Sequence, residues 1–173
     1  MPAETTVVLR IEVPSTDPVF LAIVAIHIAA GLICVVVGAI GMLSPKRPGR
    51  HPLVGTIYYW CLSAVCVSAT ALSVARWVDD YHLFILGVLS FATAALGRTA
   101  RRRCWPEWVK IHITSMCLSY ILLLTAFYVD NGRNLPLWRE LPQWAFWILP
   151  SVIGGPIIVY TLLRHPLARE RRS

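Results

Sequence analysis

Five mostly apolar stretches without a charged residue fill most of this chain. They cover residues 19–43, 53–75, 83–97, 111–129 and 144–163. A helix that crosses the hydrocarbon core of a bilayer, about 30 Å thick, needs about 20 apolar residues. Four stretches reach that length, and the third is short at 15 residues. Because backbone polar groups in lipid must be satisfied within the segment, each stretch should be a helix. The pattern predicts an all-α, polytopic membrane bundle of five transmembrane helices.

The composition favours a membrane protein over a soluble one. Of 173 residues, 57% are hydrophobic and 14% are charged, with a mean hydropathy of +0.63. A soluble helical domain would need polar faces on its outer helices, and residues 19–43 have none. We therefore expect one transmembrane domain over 19–163, preceded by an extracytoplasmic segment, 1–18, and followed by a basic cytoplasmic tail, 164–173.

The N-terminal segment does not have the pattern of a signal peptide. Residues 1–18 are polar, with no basic region ahead of an apolar core, so the first stretch is predicted to be a retained helix. Loose alternation over residues 5–13 predicts a short strand, which Pro14 and Pro18 would end.

The basic residues predict how the bundle is oriented. Because cytoplasmic loops are enriched in Lys and Arg, the basic side should face the cytoplasm, which places the N-terminus outside and the C-terminus inside the cell membrane. Binding of nucleic acid by Arg101, Arg102 and Arg103 is poorly supported, since a short basic loop between two spans is the ordinary topogenic signal. Twelve of the 16 basic residues lie on that side: Lys46, Arg47, Arg50, Arg98, Arg101, Arg102, Arg103, Lys110, Arg164, Arg169, Arg171 and Arg172.

Histidines fall inside or at the ends of four of the five stretches. His27 and His112 lie within the first and fourth, His51 precedes the second, and His82 precedes the third. His165, in the tail, is interpreted as an interfacial residue. Ionisable side chains are costly among membrane helices, so the other four histidines are the first candidates for function.

Counting along the helices places these histidines in pairs. His27 and His82 lie at a similar depth in the outer half, and His51 and His112 lie near the cytoplasmic boundary. In an up-down bundle, helices 1 and 3 and helices 2 and 4 are diagonal partners. Two histidines facing each other at one depth can ligate a haem iron on both sides, which suits electron transfer. The spacing thus predicts a b-type haem protein, with His27 and His82 on an outer haem and His51 and His112 on an inner one.

The inner pair is the weaker of the two, because His51 lies at the boundary. A single-haem variant that uses only His27 and His82 is therefore also considered. The alternative from a different class is a non-catalytic membrane subunit or scaffold whose histidines form hydrogen bonds between helices. Both hypotheses place the chain in the lipid bilayer; the haem hypothesis implies a redox partner, and the scaffold hypothesis implies another membrane protein subunit.

Other chemistries find less support. A metal site built on His51 and His112 lacks a third ligand at that level. Transport would normally require a carboxylate inside a span, and none is present. The sequence contains neither GxSxG nor HExxH, so hydrolysis is not indicated.

Three short motifs in this chain resemble those of a family of bacterial integral membrane proteins of unknown function. They are H-x3-G at His27, H-x3-G-x2-Y at His51 and H-x3-M at His112. Pro52 stands where the family pattern has Arg, so that residue's role is not carried over. The resemblance, over about residues 20–130, implies a multi-pass membrane protein without an assigned activity. At a greater distance the pattern is similar to that of diheme cytochrome b four-helix proteins, which implies haem ligation by paired histidines.

Overall fold

The structure is a computed structural model, and it describes residues 6–8, 11–13, 17–44, 49–75 and 77–164. Five long α-helices dominate it. They are α1 (Pro18–Leu43), α2 (Arg50–Ala75), α3 (Trp77–Arg102), α4 (Trp108–Asn131) and α5 (Gln143–Arg164). All five are long and apolar enough to cross a membrane. The prediction of an all-α membrane bundle with five helices is confirmed, while its orientation remains a prediction.

The third helix is much longer than its apolar stretch. The sequence predicts a short span over 83–97, but α3 runs from Trp77 to Arg102. The prediction was wrong because charge marks where a helix leaves the hydrocarbon, not where its hydrogen bonds end. No proline interrupts α3, so the helix continues at both ends beyond its uncharged segment.

The N-terminal segment holds two strands where the sequence predicts one. Strand β1 (Thr6–Val8) pairs antiparallel with β2 (Ile11–Val13), with Thr6 opposite Val13. A lone strand has no partner for its backbone groups, and folding back supplies one. Asp17 then caps α1 by accepting a hydrogen bond from the amide of Val19, at 2.9 Å.

The helices pack in chain order around one core. The most extensive contacts join α3 with α4 and α1 with α2; α2 also packs on α3, and α5 packs on the outside of α4. The contact of α1 with α4 is small, and it closes the ring of the first four helices. Helices α2 and α4 are therefore diagonal partners, as the sequence predicts.

One end of the bundle collects most of the basic residues that the structure describes, and it is called the basic end below. It contains the start of α2, the end of α3 and the start of α4, with Arg50, Arg101, Arg102, Arg103 and Lys110. The lateral surface is apolar: Leu32 and Val67 are 61% and 72% exposed. Such a surface is stable when lipid surrounds it.

Small residues let the helices approach each other in the core. A Cβ atom on Gly38 of α1 would lie 2.5 Å from the ring of Tyr120 on α4. Likewise, a Cβ atom on Gly97 of α3 would lie 3.1 Å from Ser115 of α4. Close backbone approach at small residues is typical of packing between membrane helices.

Candidate functional site

The inner histidines come together across the bundle. The imidazole rings of His51 on α2 and His112 on α4 have centroids 6.5 Å apart, and their planes meet at 86°. Each histidine lies in the first turn or two of its helix, at the basic end. The structure thus brings together His51 and His112, the pair that the sequence supports less strongly because His51 lies at the membrane boundary.

A hydrogen bond fixes the orientation of His112. Its Nδ1 lies 2.9 Å from the carbonyl oxygen of Gly97 on α3. Because a carbonyl oxygen can only accept, Nδ1 carries the proton and donates it. The other ring nitrogen, Nε2, then keeps a lone pair. This is the usual arrangement of a metal-ligating histidine, whose second nitrogen is held by a backbone carbonyl or a carboxylate.

The next layer of the core is polar and closed. The hydroxyl of Tyr58 on α2 forms a 2.8 Å hydrogen bond with the hydroxyl of Ser119 on α4, and both side chains are buried. Ser90 of α3 donates to the carbonyl of Ser119 at 2.8 Å. This layer is two helical turns, about 10 Å, further into the bundle than the histidine pair.

Gly55 of α2, between these two layers, has no close neighbour on another helix. Gly55 lies one turn from His51, and no heavy atom outside its own helix segment lies within 4 Å of the position that a Cβ would occupy. Gly97, in contrast, is in close contact with α4. Gly55, near His51, therefore has no close neighbour on another helix, whereas Gly97, which binds His112, packs closely against α4.

His27 is bound to a neighbouring helix. Its Nδ1 lies 2.9 Å from the hydroxyl of Ser68 on α2. Ser68 is also within donor distance of two carbonyls of its own helix, those of Ala64 and Val65. Since the single hydroxyl proton serves those carbonyls, Ser68 accepts from His27, and Nε2 of His27 keeps its lone pair.

His82 does not meet His27 in this structure. Its ring lies 5.8 Å from Trp147 on α5 and 5.7 Å from Tyr81, measured between centroids. Within the described part of the chain, no hydrogen bond or ring contact joins His82 with His27. Their shared haem is an untested prediction, and His165 lies outside the described residues.

Several residues of the site were not predicted from the sequence. Ser68 binds His27 through its hydroxyl oxygen, and Gly97 binds His112 through its backbone oxygen. Tyr58 and Ser119 do carry a signal, since each follows its histidine by seven residues and so lies on the same helix face. No sequence signal points to Gly97, because it binds His112 through its backbone carbonyl, which every residue has.

Among the described residues, no three side chains of His, Cys, Asp or Glu are grouped as a metal ion would require. A tetrahedral metal site at His51 and His112 therefore still lacks its further protein ligands. A bis-imidazole site needs only the two histidines, because a macrocycle provides the remaining ligands.

Comparison with known proteins identifies the class. The model of a family of predicted membrane proteins of unknown function (DUF2306) matches residues 24–163. That match covers most of the chain, which therefore belongs to this family. No curated protein matches it, and no solved structure matches it.

Proposed function

We propose that this chain is a b-type haem protein that transfers electrons in the cytoplasmic membrane, with its basic end toward the cytoplasm. His51 and His112 would be the axial ligands. The proposal is carried by one observation, the 6.5 Å separation of their ring centroids across the diagonal of the bundle.

That separation matches the requirement for two imidazoles on one metal ion. Metal–imidazole bonds are about 2.0 Å long. The centre of a five-membered ring with bonds of about 1.33 Å lies about 1.1 Å from each nitrogen. Two rings that bind one metal ion from opposite sides thus have centroids about 6.2 Å apart. The observed distance agrees to within a few tenths of an ångström.

The surrounding residues suit such a role. The Nδ1–H of His112 donates to the carbonyl of Gly97, so Nε2 is the ring nitrogen that would ligate the iron. Gly55, one turn from His51, carries no side chain that would crowd the histidine pair, and the bond between Tyr58 and Ser119 occupies the next layer of the core. Haem would supply reversible one-electron chemistry at this position, and two histidine ligands leave no site for oxygen.

A reduced-minus-oxidised visible spectrum tests the proposal. The protein is expressed with haem supplied and purified in mild detergent, and we expect a sharp α band in stoichiometric amount. His51→Ala and His112→Ala should each remove it. His27→Ala and His82→Ala are the matched controls: they should leave the band if there is one haem, or halve it if the outer pair binds a second. A folded protein with no α band would contradict the proposal.

A second candidate is a non-catalytic membrane subunit or scaffold. It is favoured by the two interhelical hydrogen bonds, from His27 to Ser68 and from His112 to Gly97. In that case His27→Ala and His112→Ala should each lower thermal stability more than His82→Ala does, because His82 makes ring contacts only with Trp147 and Tyr81. The protein would remain free of haem throughout.

A further inference from the structure

Arg98 is a cation directed into the transmembrane region. Its guanidinium carbon lies 4.6 Å from the centre of the Tyr59 ring. Tyr59 is nine residues into α2, about 13 Å from the basic end. Helical side chains lean toward the N-terminus of their own helix, which for α3 is away from the basic end. The side chain of Arg98 therefore points into the membrane region. Arg101 and Arg102, in contrast, lie at the basic end, where α3 ends.

Such an orientation is costly without a partner for the charge. Arginines near the end of a membrane helix usually extend toward the headgroups. The face of Tyr59 supplies part of the missing attraction, and Phe91 supports that ring with centroids 5.5 Å apart. No carboxylate within the described residues forms an ion pair with Arg98. The face of the Tyr59 ring accepts no conventional hydrogen bond from the five N–H donors of the guanidinium, whereas a carboxylate would accept two.

The position of Arg98 links it to the histidine pair. It follows Gly97, whose carbonyl binds His112. Its contact, Tyr59, follows Tyr58, whose hydroxyl closes the interior. The backbone of Arg98 thus adjoins the residue that binds His112, and its guanidinium lies against α2 at Tyr59.

We propose that Arg98, held by Tyr59, binds an anionic oxygen group beside the histidine pair, and that this group is a carboxylate of the haem. This inference rests on the proposed function. A guanidinium binds carboxylate and phosphate through the same paired donors, so a phospholipid phosphate shares this chemistry and is distinguished by the test.

The test compares midpoint potentials of the purified holoprotein. Removing a nearby cation favours the oxidised iron, so Arg98→Gln should shift the ratio of reduced to oxidised haem at fixed potential about tenfold. For one electron this is about 59 mV toward negative values. Arg98→Lys should restore much of it. Arg102→Gln, an exposed position on the same helix end, is the control and should change the ratio less than about twofold.

Reconstitution with haem dimethyl ester identifies the anion. If a haem carboxylate is the partner, Arg98→Gln should weaken the binding of haem clearly more than the binding of the ester, which has no carboxylate for the guanidinium to hold. An equal effect in both, varying with the anionic lipid content of the nanodisc, would assign the site to a phosphate and overturn the carboxylate. If Arg98→Gln and Arg102→Gln change the ratio of reduced to oxidised haem equally little, the inference about Arg98 is overturned, while the proposed haem function still stands. A protein that binds no haem would overturn it together with the proposed function.

Discussion

The hydroxyl of Tyr58 bonds that of Ser119 at 2.8 Å across the diagonal of the bundle. The two residues are 61 positions apart, and so are His51 and His112, which lie seven residues earlier and have ring centroids 6.5 Å apart. The same offset in both layers means that α2 and α4 run parallel and in register. This polar contact therefore fixes the relative height of the two helices that carry the candidate ligands.

Tyr58→Phe should lower the free energy of unfolding by about 1–2 kcal/mol, because the buried hydroxyl of Ser119 loses its cross-bundle partner. Chemical denaturation in mild detergent measures it. Tyr160→Phe, at a site 59% exposed, is the control and should have little effect. A double-mutant cycle with Ser119→Ala should show coupling between the two positions. Simple additivity would contradict the proposed contribution of this bond.

The sequence predicts the helices well and their ends less well. Uncharged apolar runs identify all five helices, because the bilayer requires both length and apolarity. The start of α3 at Trp77 was missed, since interfacial helix turns tolerate charge and aromatic rings. The pairing of β1 with β2 was missed because the alternation in a short segment does not show where it folds back.

The candidate site shows a similar limit. Counting residues gives the depth of a histidine, and the inner pair does meet at one level. Depth does not give the rotation of a helix about its axis. His82 turns toward Trp147 on α5, a helix whose position beside α4 is not encoded in the spacing of the histidines. The contact between His112 and the carbonyl of Gly97 likewise depends on how α3 and α4 are rotated about their axes, which the sequence spacing does not give.

Two glycines on α1 should respond oppositely to the same substitution. Gly38→Ala should destabilise the protein by about 1–3 kcal/mol, because the new methyl group would clash with Tyr120. Gly31→Ala meets nothing within 4 Å and should be neutral or stabilising by up to about 1 kcal/mol, through helix propensity. Thermal unfolding of the two purified variants decides it. Equal behaviour of the pair would contradict the close approach of α1 and α4.

The contribution of the hydrogen bond between His27 and Ser68 to stability can be distinguished from the general effect of replacing a serine in α2. Ser68→Ala should cost about 1 kcal/mol, since it removes an interhelical acceptor that is only 7% exposed. Ser63→Ala is the matched control on the same helix, because Ser63 donates only to the carbonyl of Tyr59 four residues earlier. It should stay within about 0.5 kcal/mol. A Ser68→Ala variant as stable as the Ser63→Ala variant would argue against that contribution.

Cys104 reports the orientation of the bundle. Its thiol is exposed at the basic end, whereas Cys34 is buried and Cys61, Cys66 and Cys117 are partly buried within helices. A membrane-impermeant maleimide should label Cys104 in inside-out vesicles and not in intact spheroplasts, because the basic end is expected in the cytoplasm.

A cysteine at the opposite end completes this test of orientation. Leu137 is 83% exposed in the connection between α4 and α5. In a Cys104→Ser background, Leu137→Cys should be labelled in spheroplasts and protected in inside-out vesicles. The Cys104→Ser protein itself should remain unlabelled in both, which shows that the thiols within helices do not react. Labelling of Cys104 from outside would reverse the orientation and place the His51–His112 pair on the outer side of the membrane.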